Sequence, residues 1–323
     1  MSNKLLVFRK NIASFHSIEN VFGAILSYLV IEAVELPFES KGLINRIKNI
    51  QFIKKQKAAL LHISGHDHYL LWYPFKNAIL TIHDIEALKR KRGIKRWLFQ
   101  KLWFDWPIRN ATLVTTISEF SKREILSLGN FQTPIQVIYN PLTLPLKYSP
   151  KVFNEAKPQI LHIGTKANKN LSRLIQALKG IRCELIIIGE ETEELKAELD
   201  RNQVDSTIKS NLSNLEMIEE YKASDLLAFV STYEGFGLPI VEAQAVGRPV
   251  ITSNVASMPE VAGEGALLVD PYSVAAIRKG ILQLIQDDIL REVLIEKGLE
   301  NVKRFDAERI AEEYLEIYKT IDN

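Results

Sequence analysis

Short apolar runs separated by amphipathic helical patterns are the feature that most constrains the fold of this chain. Parallel strands that are covered by helices on both faces have continuous apolar runs of this kind, whereas strands with one wet face alternate. The pattern therefore predicts a doubly wound α/β architecture. In the first half the strand candidates are 4–8, 33–36, 59–63, 78–82, 112–117 and 135–139, and in the second half they are 159–163, 184–188, 225–230, 249–252 and 266–269.

The strand and helix alternation occurs twice, and the 323 residues suit two domains better than one. The stretch 140–158 carries four prolines and no helical periodicity, so the boundary is expected there. We predict an N-terminal domain over 1–150 and a C-terminal domain over 151–305. The tail 306–321 has the pattern of an amphipathic helix. Its apolar face would contain Ile310, Tyr314, Leu315 and Tyr318.

Charge is distributed unequally between the two halves, although the net formal charge is only +2. Residues 1–150 contain 21 Lys and Arg against 10 Asp and Glu, whereas residues 151–323 contain 20 against 29. This asymmetry favours domains with different roles and an anionic partner for the basic half. The single cysteine, Cys183, cannot form an intramolecular disulfide, which favours a reducing compartment.

The sequence has no pattern of a membrane span or a secretory signal. The longest mostly apolar stretch, 21–31, is well short of the ~20 residues that a spanning helix requires. The N-terminus becomes charged after a four-residue apolar stretch, Leu5–Phe8, and so does not resemble a signal peptide. We expect a cytoplasmic protein that is either soluble or peripheral at the inner face of a membrane.

The segment EGFGLPIVE, residues 234–242, places two glutamates around a glycine-rich turn that opens into a helix. Pro239 suits the first helical turn, and the preceding glycines let another group approach the backbone closely. Backbone N–H groups at the positive end of a helix form an anion site that suits phosphate. Glu234 and Glu242 would then flank a ligand that carries a phosphate and vicinal hydroxyls. The alternative is a solvated Glu234 and a helix-capping Glu242.

This segment and the following AQAVGRPVITSN resemble the donor-site motif of the retaining glycosyltransferases of family four. The resemblance covers nearly the whole chain and is most specific over 158–275. It implies the GT-B fold, which consists of two facing, Rossmann-like, doubly wound parallel-sheet domains. It further implies that a C-terminal crossover helix, here within 306–323, returns to the first domain.

The resemblance also implies roles in a donor site. Glu234 would contact the transferred sugar, and Glu242 would bind the nucleotide ribose. The backbone amides of the turn between them would meet the diphosphate and the sugar. That turn consists of Gly235, Phe236, Gly237 and Leu238.

The segment HIGTKANKNLSRLIQAL, residues 162–178, resembles the family element that opens the second domain. Lys169 takes the place of the lysine that neutralises the donor diphosphate. The family often has an arginine after the glycine, whereas here Gly164 is followed by Thr165 and Lys166, so Lys166 would substitute for it. These cations and the helix end can stabilise the leaving diphosphate, and no Asp-x-Asp pair follows a strand. We therefore expect no essential metal and no cofactor.

Histidines and aspartates follow two predicted strands of the first domain. His66 and Asp67 lie in HISGHDHYLLW, which is similar to a cleft-facing stretch of the family. A zinc site in this stretch is disfavoured because no further His or Cys follows at metal-ligand spacing. His83 and Asp84 end another strand, and the resemblance places a histidine there against the donor sugar. A purely structural His83 is the alternative.

The N-terminal loop FRKNIASFHSIENVF, residues 8–22, departs from the Gly-Gly pair that is usual in the family. In the family this loop faces the acceptor, so the departure leaves the acceptor open without affecting the donor site. The residues expected on the acceptor side are Arg9, His16, His66, Asp67 and Asp84.

The segment 87–109 combines aromatic residues with seven cations between positions 89 and 101. Cations and bulky aromatics on one helix suit an anionic membrane surface, at about 1 kcal/mol per basic residue near that surface. A nucleic-acid partner is disfavoured because no nucleic-acid motif accompanies the patch. The alternative is a solvated helix whose aromatics face the core.

Together with these residues, the resemblance implies a retaining, metal-independent hexosyltransferase that acts in the synthesis of cell-surface polysaccharide. Its donor would be a nucleotide-sugar of the UDP or GDP type, and its acceptor a glycan or a lipid-linked molecule. The catalytic residues would be Glu234, Lys169 and His83. The rivals are a nucleotide-sugar epimerase of the same fold and a non-catalytic protein that binds sugar nucleotides. A dinucleotide dehydrogenase is disfavoured because no Gly-x-Gly-x-x-Gly joins a strand to a helix.

Overall fold

The computed structural model describes residues 3–10 and 17–322 of the chain. Its internal contacts divide the chain into two compact units. The N-terminal unit comprises Met1–Thr143 together with the tail Asp306–Asn323, and the C-terminal unit comprises Leu144–Phe305. The break after Thr143 lies inside the proline-rich stretch 140–158 in which the sequence indicates a boundary.

The N-terminal unit alternates strands with helices along the chain. Its elements are β1 (Lys4–Phe8), α1 (Ser17–Leu26), β2 (Glu32–Glu35), α2 (Leu43–Gln56), β3 (Leu60–Ile63), β4 (Ala78–Ile82), α3 (Glu86–Lys89), α4 (Gly93–Gln100), α5 (Trp106–Asn110), β5 (Leu113–Thr116), α6 (Glu119–Leu126) and β6 (Ile135–Val137). In the described part of this unit, six parallel strands lie in the order β2-β1-β3-β4-β5-β6. The order reverses between β1 and β3, which is the topological switch point of this sheet.

The C-terminal unit repeats the alternation. Its elements are β7 (Gln159–Ile163), α7 (Leu171–Leu178), β8 (Glu184–Ile188), α8 (Glu193–Asn202), β9 (Ser206–Lys209), α9 (Asn214–Ala223), β10 (Leu226–Phe229), α10 (Leu238–Ala245), β11 (Val250–Ser253), α11 (Met258–Ala262), β12 (Leu267–Val269), α12 (Val274–Gln286) and α13 (Asp288–Val302). The strands are parallel and lie in the order β12-β11-β10-β7-β8-β9. This Rossmann-type order reverses between β7 and β10, so the loops after these strands leave the sheet at its switch point.

Burial follows the position of a strand in its sheet. The inner strands β4, β10 and β11 are buried at every residue, whereas the edge strands β2 and β9 are partly exposed. The sequence pattern therefore identifies the inner strands and misses β9, whose STIK segment has no continuous apolar run.

The tail forms helix α14 (Ala307–Asp322), which packs on α1 and β3 within the N-terminal unit. Tyr314 and Tyr318 are buried, and the Tyr318 hydroxyl lies 2.7 Å from Nδ1 of the buried His62. The other ring nitrogen of His62 lies 2.8 Å from the Thr81 hydroxyl on β4, so this histidine links the tail to the sheet. The buried face of α14 contains Ile310, Ala311 and Ile317, whereas the predicted Leu315 is only half-buried.

Candidate functional site

Two loops leave the carboxyl ends of neighbouring strands at the switch point of the C-terminal unit. One follows β7 and contains a 3₁₀ turn over Ala167–Lys169, and the other follows β10 and leads into α10. The two loops are hydrogen-bonded to each other, because the Thr232 amide donates to the Asn168 carbonyl at 2.8 Å. The carboxyl ends of strands at a switch point form the usual ligand crevice of an open α/β sheet.

Glycine at position 164 lets the side chain of Lys169 lie against the backbone. A Cβ atom there would lie 2.9 Å from both Cγ and Cε of Lys169, and Gly164 has φ of +96°, which L side chains rarely adopt. Asn170 then takes a left-handed conformation with φ of +62°. Its side-chain amide donates to the carbonyls of Val230 at 2.9 Å and Pro271 at 2.7 Å. The path of the loop is therefore fixed on both sides of Lys169.

Lys169 and Glu234 form an ion pair between the two loops. The Lys169 ammonium lies 2.8 Å from Glu234 Oε1, and the two side chains are 18% and 15% exposed. Asn168 donates to the same oxygen at 3.3 Å and to the Tyr233 carbonyl at 3.0 Å. The ammonium also lies 4.8 Å from the ring centroid of Phe229. A half-buried cation that is held in this way can bind an anionic ligand while Glu234 accepts hydrogen bonds.

Ser257 supports the turn between the two glutamates through hydrogen bonds to its backbone. Its hydroxyl lies 2.9 Å from the Glu234 carbonyl and 2.6 Å from the Phe236 carbonyl. Gly237 has φ of +112° and is the residue that precedes α10, whose first turn contains Pro239. Because the first N–H groups of a helix have no intrahelical partner, this end of α10 carries donors and partial positive charge.

Glu242 occupies the second turn of α10. It is only 7% exposed, and the residue at the N-cap of this helix is Gly237. Its Oε2 accepts a hydrogen bond from the Tyr221 hydroxyl at 2.5 Å. Burial, followed by the charge of Glu242, raises the pKa of Tyr221 well above its usual range, so the phenol is the donor.

Thr165 and Lys166 occupy a different part of the loop from Lys169. They line a cavity of about 500 Å³ whose other walls include Arg173, Glu190 and Thr192. Lys166 is exposed, whereas Thr165 is half-buried because its methyl group lies against Gly189. The structure therefore places the two predicted lysines on separate features, with Lys169 paired to Glu234 and Lys166 at this cavity.

In the N-terminal unit, Asp67 lies in the loop after β3, at the switch point of that sheet. It is 2% exposed, and its Oδ1 accepts a hydrogen bond from the Ser40 hydroxyl. The same hydroxyl lies 2.9 Å from the Tyr69 hydroxyl, which accepts from Asn49 at 2.9 Å. Burial raises the pKa of Asp67 to about 6. Its Oδ2 has no hydrogen-bond partner among residues 3–10 and 17–322.

His66 and His83 approach each other from the loops after β3 and β4. Their ring centroids are 6.4 Å apart, and Nε2 of His83 lies 2.8 Å from the Ser64 carbonyl. Burial lowers the pKa of His83 to about 4, so the ring is neutral near pH 7. His66 is exposed and has φ of +57°. Asp84 accepts from the Glu86 amide at 2.8 Å and so also supports the start of α3.

The remaining acceptor-side predictions fall on the segment after β1. Arg9 makes a two-point ion pair with Glu19, with distances of 2.6 and 3.0 Å from its guanidinium nitrogens to the carboxylate oxygens. His16 lies outside the described residues. Helix α1 begins at Ser17, so residues 17–22 of the segment that the sequence predicts as a loop are helical.

The predicted basic helix over 87–109 is divided into α3, α4, a π-helical turn over Lys101–Asp105, and α5. The aromatics separate into two groups. Phe104 is buried and the Phe99 and Trp103 rings stack at 5.2 Å against the core of this unit, as a structural role requires. Ile94, Trp97, Leu98 and Trp106 are instead 67%, 54%, 46% and 51% exposed.

Over the described ranges 3–10 and 17–322, no group of three or more His, Cys, Asp or Glu side chains is arranged to hold a metal ion. In the same ranges, no helix has the length and apolar character that crossing a membrane requires.

Three supporting residues are not among those that the sequence pattern identifies. Asn168 directly precedes Lys169, but nothing in the sequence shows that its amide reaches Glu234. Ser257 lies after β11, and its bracing role depends on the tertiary fold. Tyr221 has the spacing of an ordinary core residue of α9, and its hydroxyl partner lies on another helix.

The chain is similar in sequence to known glycosyltransferases. The family model described as Glycosyl transferases group 1 matches residues 147–301. The chain is 30% identical over 285 residues to an O-antigen chain mannosyltransferase B of Escherichia coli, covering 79% of this chain and 73% of that protein. It is 27% identical over 257 residues to an uncharacterised glycosyltransferase of Methanocaldococcus jannaschii, covering 76% of this chain and 69% of that one.

Solved structures share the fold at lower sequence identity. HepE of Anabaena in complex with UDP and glucose superposes with a TM-score of 0.81 at 17% identity, covering 99% of this chain and 100% of that one. WaaG, a glycosyltransferase involved in lipopolysaccharide biosynthesis, gives a TM-score of 0.72 at 16% identity, covering 97% and 98%. The likeness confirms the predicted fold class, with two Rossmann-like α/β units.

Proposed function

Because the chain belongs to the glycosyl transferases group 1 family and has the GT-B fold, we propose that it is a retaining enzyme that uses a nucleotide-sugar. The donor is of the UDP or GDP type, and the acceptor is a glycan or a lipid-linked molecule. The product belongs to a cell-surface polysaccharide, and the reaction takes place on the cytoplasmic side of the membrane. The similarity to an O-antigen mannosyltransferase and to a UDP-bound structure supports these assignments.

The observation that carries the proposal is the Lys169–Glu234 pair at the switch point of the C-terminal unit. A nucleoside diphosphate gains negative charge as the bond to the sugar breaks. Lys169 is positioned to neutralise that charge, and the N-terminus of α10 adds partial positive charge nearby in the chain. When the Lys169 ammonium binds the diphosphate instead of Glu234, the Glu234 carboxylate becomes able to accept hydrogen bonds from the sugar hydroxyls.

The two glutamates have separate roles in this proposal. Glu234 positions the transferred sugar, and Glu242 accepts hydrogen bonds from the ribose hydroxyls of the nucleotide. The amides of the turn 235–238 contact the diphosphate and the sugar. His83, which is neutral near pH 7, is the proposed catalytic residue of the N-terminal unit, and the proposed acceptor-side residues include Arg9, His66, Asp67 and Asp84.

Retention follows from substitution on one face of the sugar. The bond between the anomeric carbon and the diphosphate oxygen breaks, and the acceptor oxygen bonds to the same face of that carbon. The acceptor proton passes to the departing phosphate, which therefore acts as the base. No enzyme nucleophile and no metal ion is required in this scheme, because Lys169 and the helix end provide the positive charge.

The first test is a thermal-shift panel of UDP, GDP, ADP, CMP and NAD on the full chain. A ligand that binds only the folded state adds ~2.7 kcal/mol of stability at a hundredfold excess over its dissociation constant. We expect one diphosphate to raise Tm and the shift to be lost in Glu242→Ala. The same shift in wild type and Glu242→Ala would contradict the role of Glu242.

The second test identifies the reaction by its product. UDP-glucose and GDP-mannose are incubated with and without an oligosaccharide acceptor, and the anomeric configuration of the product is assigned by NMR. Retention of the donor configuration is expected in the presence of EDTA. An altered nucleotide-sugar in the absence of acceptor would indicate the epimerase, and nucleotide binding without turnover would indicate a non-catalytic protein.

We also propose that the exposed face of α4 contacts an anionic membrane surface. Ile94, Trp97 and Leu98 are exposed on this helix, and the segment 89–101, which includes the helix, contains seven cations. Apolar side chains enter the lipid boundary while Lys and Arg are attracted to anionic headgroups.

Vesicle co-sedimentation at low salt tests this contact. Wild type is expected to bind vesicles that contain anionic lipid and not neutral ones, and the triple variant Ile94→Ser, Trp97→Ser, Leu98→Ser is expected to lose binding. Ile289→Ser, which replaces a 70% exposed residue of the C-terminal unit, serves as the matched control. Wild type that remains wholly in the supernatant would refute the proposal.

A further inference from the structure

The hydrogen bond between Tyr221 and Glu242 joins two helices of the C-terminal unit. Tyr221 lies on α9 and is fully buried, and Glu242 lies on α10 and is 7% exposed. The distance of 2.5 Å from the hydroxyl oxygen to Oε2 is that of a short hydrogen bond to a carboxylate. Both residues lie in the part of the unit that contains the donor-site motif.

The backbone that carries Tyr221 is itself held in place. The Ser224 hydroxyl donates to the Tyr221 carbonyl at 2.9 Å, and Arg248 donates to the Lys222 carbonyl at 2.8 Å. Arg248 is 3% exposed and also contacts carbonyls at the end of α10, including that of Val246 at 3.1 Å. The tyrosine hydroxyl is therefore a fixed donor, and it restricts the orientation of the carboxylate.

We propose that Tyr221 is a positioning residue that orients the Glu242 carboxylate toward the ribose of the bound nucleotide. A carboxylate can accept about four hydrogen bonds, so the bond from Tyr221 is compatible with bonds from two vicinal hydroxyls. This inference rests on the proposed function, because it gives Tyr221 a role only if Glu242 binds ribose. A merely structural Tyr221 would affect the stability of the unit and would leave recognition of the ribose unchanged.

The test measures how strongly each variant prefers a ribonucleotide to its deoxy analogues. Titration calorimetry compares UDP and GDP with their 2′-deoxy and 3′-deoxy forms on wild type, Tyr221→Phe, Glu242→Ala and the double variant. For the nucleotide that binds, wild type is expected to prefer the ribose form by about tenfold, the size expected of a hydrogen bond to a charged group. Tyr221→Phe is expected to reduce this preference to within about threefold.

The double variant and the kinetics provide further readouts. In the Glu242→Ala background, Tyr221→Phe is expected to change the ribose preference no further, because the hydroxyl acts through Glu242. With the full nucleotide-sugar, Tyr221→Phe should raise KM while kcat stays within about threefold of wild type, since uniform binding is lost.

Tyr318→Phe is the matched control. It removes the hydroxyl of another buried tyrosine, which lies 2.7 Å from His62 in the N-terminal unit, and it should leave the ribose preference unchanged. Where Tyr221→Phe does not fold, Tyr221→Met fills the space with a flexible apolar chain and carries the same expectation.

The outcomes separate this inference from the proposed function. Loss of preference in Glu242→Ala but full preference in Tyr221→Phe would overturn the positioning role alone. Full preference in Glu242→Ala would overturn the ribose role of Glu242, and with it the inference. Failure of wild type to bind either UDP or GDP would overturn the donor assignment as well.

Discussion

The loops at the two switch points differ in the charged side chains that they carry and in how far these are buried. In the C-terminal unit, Lys169 and Glu234 remain partly exposed and form an ion pair between the loops. In the N-terminal unit, the loop after β3 contains the buried Asp67, and the adjacent strands and loops contain histidines that are neutral because they are desolvated. The first arrangement suits an anionic ligand, whereas the second presents polar groups without a net positive charge.

Acid should destabilise the N-terminal unit more than the C-terminal unit. Burial lowers the pKa of His62 and His68 to about 3 and that of His83 to about 4, whereas in the C-terminal unit it lowers that of His162 to about 4. These pKa values lie below the unfolded value near 6.5, so the stabilisation is complete above pH 6.5 and is lost as the pH falls toward 4. At pH 4.5 the stability that each of these histidines contributes is lower by about 3 kcal/mol than at pH 7.

Asp67 acts in the opposite sense. Its pKa is raised to about 6, so protonation favours the folded state, and it returns stability as the pH falls from 6 toward 4. It offsets part of the loss from three histidines in its unit. Hydrogen exchange by mass spectrometry should show that β3 and β4 lose more protection than β7 and β8 between pH 7 and pH 4.5. Equal loss in both sheets would contradict this, and a comparison of pH 7 with pH 8.5 serves as the control.

Removal of the Lys169 ammonium tests the charged side of the comparison. Lys169→Ala should lower kcat/KM by about 100-fold, because a preorganised charge at a leaving group contributes on this scale. Steady-state kinetics with the nucleotide-sugar measures the loss. Lys196→Ala, which removes a surface lysine paired with Glu191 at 2.5 Å, should leave the kinetics unchanged. A loss below threefold in Lys169→Ala would remove the main support for the donor site.

Displacement of the same lysine without removing its charge should have a smaller effect. In Gly164→Ala, the new Cβ would lie 2.9 Å from two carbons of Lys169, so the side chain must move. Gly180→Ala is the matched control, because Gly180 also has a positive φ, of +72°, but a Cβ there meets nothing within 4 Å.

Both glycine variants should lose about 1–2 kcal/mol of stability through backbone strain. Only Gly164→Ala should also lower kcat/KM, by about tenfold, since a misplaced catalytic group loses its alignment. Chemical denaturation and steady-state kinetics measure the two effects. If both variants lost activity equally, strain rather than the position of Lys169 would explain the result.

The sequence predicts the inner framework of both sheets because parallel strands that are buried on both faces have continuous apolar runs. It misses β9, where the half-exposed residues of an edge strand have no such run. The pairing of Lys169 with Glu234 spans 65 positions and depends on the strand order, which the apolar runs do not specify. For Tyr221 the sequence shows only a helical spacing, which does not reveal its bond to Glu242. Whether Phe99 and Trp97 face the core or the solvent depends on the tertiary packing of α4.

Two serines offer the mildest test, because each supports a loop that follows a strand, one in each unit, through a hydrogen bond to a backbone carbonyl. The Ser257 hydroxyl lies 2.9 Å from the Glu234 carbonyl, and the Ser121 hydroxyl lies 3.0 Å from the His83 carbonyl. Ser257→Ala and Ser121→Ala should each lower the free energy of unfolding by about 1 kcal/mol.

Their effects on nucleotide binding should differ. Ser257→Ala loosens the turn that carries Glu234, so the Kd for the diphosphate should rise about threefold, whereas Ser121→Ala should leave it unchanged. Calorimetry with the diphosphate that wild type binds measures both values, and denaturation curves report the stability. Nucleotide binding that weakened equally in both variants would contradict this comparison, because it would then depend on the loop after β4 as much as on the turn that carries Glu234.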